Sequence, residues 1–341
     1  MRLTFVVVLL LSFFPSAIMS GVVDTISEAT VNKLQDIIGT DAGGRGMKAL
    51  IVEDDLVQAS RILASLPQES LVLILTGFPC CVNEDPPTET DGPPGALALS
   101  RAAVQLGHSV KICTDDCNAA VLQAAMDDVG SWAENGKLEL EVFSSTEDQD
   151  DRLRALAKSC HLIIACERAG PSEDGMCYTM RGIDMNERNL IAPIHLLVEY
   201  ADCPFLAVGD GGNELGMGKV FAQIKAHIPS GDKIGCIIAA HHLVAASVSN
   251  WGAYAVAAGA AVMRAAQEST SKDDLHQKVA EWISKCLPTE QDEVNLLNRC
   301  VAKGCRDGVS GKVEATVDGM PLETSLQCLR DLRDAALKLG E

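Results

Sequence analysis

Short apolar runs, each followed by a stretch of helical periodicity, recur from Leu71 to Ala266. Leu71–Leu75, Ser109–Cys113, Leu138–Phe143, His161–Cys166 and Phe205–Val208 read as strands, and Ile234–Ala246 as one or two more. Gly95–Leu106, Ala119–Val129, Asp150–Lys158, Leu190–Tyr200, Val220–Ala226 and Trp251–Ala266 read as the helices between them. Runs such as Leu71–Leu75 lack a polar face, so both sides of such a strand must be covered. The alternation predicts an α/β fold with a doubly wound, mainly parallel sheet. Helical additions flank it, at Thr25–Ile38 and Leu56–Leu66 on one side and at Asp273–Leu287 and Thr324–Leu339 on the other. Val313–Val317 reads as an edge strand before a turn at Asp318–Gly319. The apolar stretch Leu243–Met263 reads as a buried strand and a buried helix, because serine, asparagine and glycine interrupt it. No linker, charge block or repeat divides the chain, so residues 21–341 are expected to form a single domain.

In a parallel sheet the segments that follow the strands gather on one edge, where ligands bind. Here those segments are unusual. Pro86–Gly95, Glu167–Asp184 and Gly209–Lys219 combine carboxylates with glycine or proline, and two of the connections are long enough to suggest function. The 47% hydrophobic content suits buried strands, while the formal net charge of −19 bears on partners. A nucleic-acid surface needs clustered Lys and Arg, and none is found. The acidity fits a self-repelling surface, or carboxylates converging on a metal ion or an amine.

Each loop supports a structural and a functional reading. Glu89, Thr90 and Asp91 precede a helix that Pro94 is suited to begin; they form a rigid acidic cap or contact a ligand. The five glycines of Gly209–Gly218 let the backbone approach a ligand. Their spacing matches neither dinucleotide nor Walker loops, and Asp210 and Glu214 would repel phosphate. A metal ion or an ammonium group suits them better. Glu167, Arg168 and Arg181 bracket one loop and could hold a zwitterion at both ends, Arg181 by its bidentate fork; an internal salt bridge is the alternative. Ser249 and Asn250 stand at a strand-to-helix turn, where Asn250 is a good N-cap. His241 and His242 read as structural.

The 13 cysteines, several inside apolar runs and none in a CxxC pair, read as free thiols of a reducing compartment. The adjacent Cys80 and Cys81 suit neither a normal disulfide nor a tetrahedral metal. Met1–Ser20, with a basic start, an apolar core and small residues after it, has the plan of a signal peptide, which points to the secretory pathway or an organelle. No N-x-S/T sequon supports secretion. No stable membrane span is expected in the mature chain, and the oligomeric state is not legible.

Thr76–Pro79, Pro87–Gly95, Glu167–Pro171, Met180–Asp184, Gly209–Lys219 and Ser249–Gly252 together resemble the D-glutamate cyclase family, in its C-terminal-domain type. Weaker echoes lie at Asp41–Gly46, Gly304–Gly311 and Val317–Gly319. The resemblance implies cyclisation of D-glutamate to 5-oxo-D-proline with loss of water, a small glutamate-like substrate, and a mitochondrial location as an alternative to secretion. Animal members carry a further N-terminal domain that this chain has no room for. A non-catalytic domain that binds acidic amino acids is therefore the alternative, and a metal-dependent enzyme on another small carboxylate or lactam is a third. The reaction needs a base for the amine, polarisation of the γ-carboxyl group and a fixed α-carboxylate. Glu167 and Asp210 are the candidates for acid–base work. Arg181, Lys219, Thr90, Gly211, Gly212, Asn213, Ser249 and Asn250 are the candidates for substrate binding, with the N–H groups of Gly211 and Gly212 facing the oxyanion. Glu89, Asp91, Asp210 and Glu214 are the candidate ligands of a divalent cation such as Mg²⁺.

Overall fold

The computed structural model describes residues 4–129, 132–133 and 136–339, with side chains from residue 21 onward. Six strands form one sheet: β1 (Leu71–Gly77), β2 (Ser109–Asp115), β3 (Leu138–Phe143), β4 (Leu162–Arg168), β5 (Phe205–Gly209) and β6 (His242–Ala245). Their order is β3-β2-β1-β4-β5-β6, and all five pairings are parallel. The order reverses between β1 and β4, which is where doubly wound sheets open a crevice beyond their strand ends.

Twelve helices are described: α1 (Thr4–Ile38), α2 (Asp55–Ser65), α3 (Pro93–Gln105), α4 (Ala119–Met126), α5 (Asp150–Ser159), α6 (Leu196–Tyr200), α7 (Phe221–His227), α8 (Gly231–Ile234), α9 (Ser249–Glu268), α10 (Lys272–Cys286), α11 (Glu290–Ala302) and α12 (Leu322–Leu337). Among the described residues, no helix is long and apolar enough to cross a membrane. The signal-like segment falls on residues 1–20, outside the described side chains.

Alternate residues of β1 enter two cores. Val72 and Ile74 pack with α1, α2, α3 and α9, while Leu73 and Leu75 pack with α5, α6 and α7. Alternation of side chains across a strand produces this division. Burial on both faces is what the continuous apolar run requires. Helix α9 is buried along nearly its whole length and is rich in alanine. At Gly259 a Cβ would lie 2.1 Å from Ser60 Oγ, so α2 crosses α9 where only glycine fits.

Three of the expected elements take a different form, and α8 and α11 are additional to the sequence reading. Within 234–246 only His242–Ala245 joins the sheet. The backbone before it is held by the loop after β5 and its neighbours, with Cys236 N donating to Gly212 O, Ile237 N to Pro171 O and Ala240 N to Gly216 O. The helix expected over 190–200 shrinks to Leu196–Tyr200, because Pro193 disfavours helix just before it and Ala192 N is drawn to Asp115 Oδ1 at 2.6 Å. Thr316–Val317 (β7) pairs antiparallel with Met320–Pro321 (β8), not with the main sheet. Asp318 and Gly319 between them both have positive φ, as a tight two-residue hairpin demands.

Candidate functional site

Glu167 is the sixth residue of β4, and the sheet bulges there. Thr76 is opposite Cys166 and Gly77 is opposite Arg168, so Glu167 has no partner on β1. Its φ is +44°, a conformation that costs a side-chain-bearing residue of order 1–3 kcal/mol and that clusters at functional sites. The adjacent Arg168 is fully buried and forms an ion pair with Asp115. It also donates to Ala192 O at 2.9 Å. Of the two arginines expected to hold a zwitterion, Arg168 is thus committed to the scaffold.

The segment after β1 meets the start of α9 by exchange of caps. Asp91 Oδ2 accepts from Ser249 N and Oδ1 from Asn250 N, each at 2.8 Å. Asn250 Oδ1 accepts from Gly92 N at 3.0 Å and Gly95 N at 2.7 Å, capping α3 and not its own helix. Asn250 Nδ2 donates to Thr90 O at 3.1 Å. Thr90 Oγ1 donates to Thr316 O at 2.7 Å, so the hydroxyl is used in holding the hairpin. Ser249 Oγ donates to Glu167 Oε2 at 2.5 Å.

In the loop after β5, Glu214 folds back on its own backbone. Its carboxylate accepts from Asp210 N at 2.8 Å, Gly211 N at 2.5 Å and Gly212 N at 2.6 Å. The N–H groups expected at an oxyanion therefore serve Glu214, and Glu214 shapes the loop. Asn213 Nδ2 donates to Tyr178 O at 2.7 Å. Lys219 points elsewhere: its Nζ is 2.6 Å from Asp55 Oδ2. It also donates to His241 O at 2.6 Å, before β6 and at the opposite end of the sheet. Asp55 also lies 3.0 Å from His242 Nδ1. The structure does not bring Lys219 to the other candidates.

What does converge is acid. One carboxylate oxygen from each of Asp91, Glu167 and Asp210 lies within 4.8 Å of the others, and all three residues are buried. Three charges cannot all be kept at that spacing away from water. Burial pushes Asp91 up to about 8, with Asp318 adding to it and the N–H groups of Asn250 and Ser249 opposing it. Burial also holds Glu167 and Glu89 well above the usual carboxylate range, reinforced by neighbouring carboxylates. Asp210 is raised by burial too, but Arg45 pulls against it.

Arg45 is the residue whose role sequence alone leaves unseen. Its Nη2 is 2.5 Å from Asp210 Oδ2 and 2.8 Å from Asp318 Oδ2. It bridges the loop after α1, the loop after β5 and the turn of the C-terminal hairpin. The echoes at Asp41–Gly46 and Val317–Gly319 were its available signal. A cavity of about 150 Å³ opens over the cluster. Glu89, Glu167, Asp210, Glu214 and Asp318 line its acidic side, with Arg45 among them. Arg181 lines it as well, at an exposed position, and its Nη2 donates to Val309 O at 2.9 Å. Glu89 is fitted tightly: a Cβ on Gly308 would come within 1.8 Å of its Oε2.

The arrangement suits two chemistries. Buried carboxyls with differing surroundings can donate and accept protons, and the same oxygens could hold a hard divalent cation or an ammonium group. Of the expected cation ligands, Asp91 and Asp210 come together with Glu167, whereas Glu214 is occupied by the loop.

Residues 34–333 match the family model described as D-glutamate cyclase-like, C-terminal. Human mitochondrial D-glutamate cyclase is 36% identical over 318 residues, covering 86% of this chain and 50% of that protein. The chain spans about half the length of the curated relative it matches.

Proposed function

The chain belongs to the D-glutamate cyclase-like, C-terminal family, and on that premise we propose that it closes D-glutamate to 5-oxo-D-proline with loss of water. The observation that carries the reading is the buried trio Asp91, Glu167 and Asp210 beneath a cavity that also contains two arginines. The acids receive the amino group, and Arg181 at the rim takes a carboxylate.

Cyclisation forms a bond between the amine nitrogen and the γ-carboxyl carbon and breaks a carbon–oxygen bond; the ammonium nitrogen sheds two protons in becoming the lactam N–H, and the departing carboxylate oxygen takes up two in becoming water. Two carboxyls in unlike surroundings can divide these tasks. Asp210, whose charged form Arg45 favours against burial, is the base for the ammonium protons. Glu167 is held above the usual carboxylate range by burial and by Glu214, Asp91 and Glu89, so it acts as the acid toward the leaving oxygen. A divalent cation such as Mg²⁺, if held by Asp91, Glu167 and Asp210, would supply polarisation of the γ-carboxyl group.

The test is turnover by the purified full chain with each enantiomer of glutamate, followed as 5-oxoproline, with and without EDTA. D-Glutamate is the expected substrate, and Glu167→Gln and Asp210→Asn are each expected to lose about 10²–10⁴ in kcat. Full activity in both variants would remove the site assignment, and full activity in EDTA would remove the cation. One second reading is an acidic-amino-acid-binding domain, in which the same acids and Arg181 hold a glutamate-like ligand without turnover. Thermal stabilisation by D-glutamate without product would select it.

A further inference from the structure

Among the described residues two pairs of thiols touch, and one lies far from the acid cavity. Cys160 ends α5 just before β4, and Cys203 lies just before β5. Their Sγ atoms are 3.4 Å apart across 43 residues of chain. The strands they precede are hydrogen-bonded neighbours, with Ile163 paired to Phe205, so the two thiols are held in register by the sheet. They lie at the N-terminal edge, opposite the loops that carry Glu167 and Asp210.

We propose that Cys160 and Cys203 are a disulfide-forming site that takes a low-molecular-weight disulfide as its oxidant. Both thiols line a surface cleft of about 370 Å³ together with Lys158 and Asp202, so a small oxidant reaches them from solvent. The two differ in their readiness to react. Cys203 is the more exposed, and its hydrogen bond with Cys160 lowers its pKa, whereas Cys160 is raised and its Sγ also lies 3.2 Å from Ala157 O. Cys203 is therefore the attacking thiolate. It displaces one thiolate from the oxidant and forms a mixed disulfide. Cys160 then gives up its proton and attacks Cys203 Sγ, releasing the second thiolate and closing the bond. The protein loses two electrons and two protons, and the oxidant is reduced to two thiols.

The other contact, Cys80 with Cys81 at 3.7 Å, joins adjacent residues and is the internal comparison. Consecutive cysteines cannot reach ordinary disulfide geometry without distortion. The experiment treats the reduced full chain with oxidised glutathione, blocks free thiols by alkylation and maps peptides without reduction. The wild type is expected to yield the Cys160–Cys203 cross-link as its major product. Cys160→Ser is expected to accumulate glutathione on Cys203, and Cys203→Ser to leave Cys160 alkylated. Recovery of both wild-type thiols as alkylated peptides would overturn the proposal, as would glutathione accumulating on Cys160 in preference to Cys203. If either variant fails to fold, the wild-type map alone decides.

Discussion

At the scale of single residues, the site depends on one guanidinium that stands 165 positions from its partner in sequence. Arg45 meets Asp210 and Asp318, and Asp210 in turn raises the Arg45 pKa above the ordinary arginine value. Removing the guanidinium leaves two buried carboxylates without their cation, so the Asp210 pKa rises further. A base with a higher pKa is ionised only at higher pH. Arg45→Gln is therefore expected to move the acidic limb of the kcat/KM profile upward, while Arg45→Lys retains the charge and moves it less. An unchanged limb in Arg45→Gln would show that Arg45 does not set the ionisation of Asp210. Glu167 was legible from sequence because it directly follows an apolar run, where a parallel sheet presents its ligand-facing residues. Arg45 was not, because its loop lies outside the strand–helix alternation and only the fold brings it near Asp210. Lys219 misled for the converse reason: its position beside a glycine loop implied proximity, but the chain turns it toward Asp55.

At the scale of elements, β1 to β5 were readable to within about two residues at either end, since burial between helices enforces an apolar run. The helix starts were readable less well. Helix α11 carries a capping box of Thr289 and Asp292, a local signal that precedes Glu290–Ala302 and could have located it. The caps that matter most here are not local. Asp91 and Asn250 cap each other's helices across 159 residues, so no window of sequence contains both. Asn250 accepts from two buried N–H groups and donates to Thr90 O, and Asn250→Ala removes all three bonds. Each buried donor left without a partner costs about 1–3 kcal/mol. The substitution is expected to destabilise the protein by roughly 3 kcal/mol in urea unfolding. By contrast, Ser271→Ala, which removes an ordinary N-cap from α10, should cost about 1 kcal/mol. Equal losses in the two variants would mean that the exchange of caps contributes nothing beyond a single helix end.

At the scale of the whole molecule, a buried acid cluster makes stability depend on pH in a direction that can be worked out. Glu89, Asp91, Glu167 and Asp210 are all raised, chiefly by burial. Unfolded, they ionise near pH 4. Folded, they keep protons to higher pH, Asp91 to about 8. Between those values the native state binds more protons than the unfolded chain, so their contribution falls as pH rises. His108 and His195 act oppositely. Burial lowers each to about 4, so from pH 4 to about 6.5 the unfolded chain binds the extra protons and stability rises with pH. The two groups offset each other in mild acid. Above pH 6.5 the acids remain, opposed by Cys81, which its hydrogen bond with Cys80 lowers to about 7. Each net retained proton costs about 1.4 kcal/mol per pH unit. The melting temperature of the ligand-free protein is thus expected to fall by several degrees between pH 6.5 and pH 8, measured by calorimetry at constant ionic strength. A ligand that binds the ionised cluster, whether Mg²⁺ or the ammonium group of D-glutamate, should recover more of that stability at pH 8 than at pH 6.5. At a concentration 100 times its Kd, such a ligand adds about 2.7 kcal/mol. A melting temperature that stays level or rises from pH 6.5 to pH 8 would show that the cluster is already ionised in the native protein. Glu167 could not then serve as the proton donor, and the cation would become the stronger account of how three carboxylates share one small space.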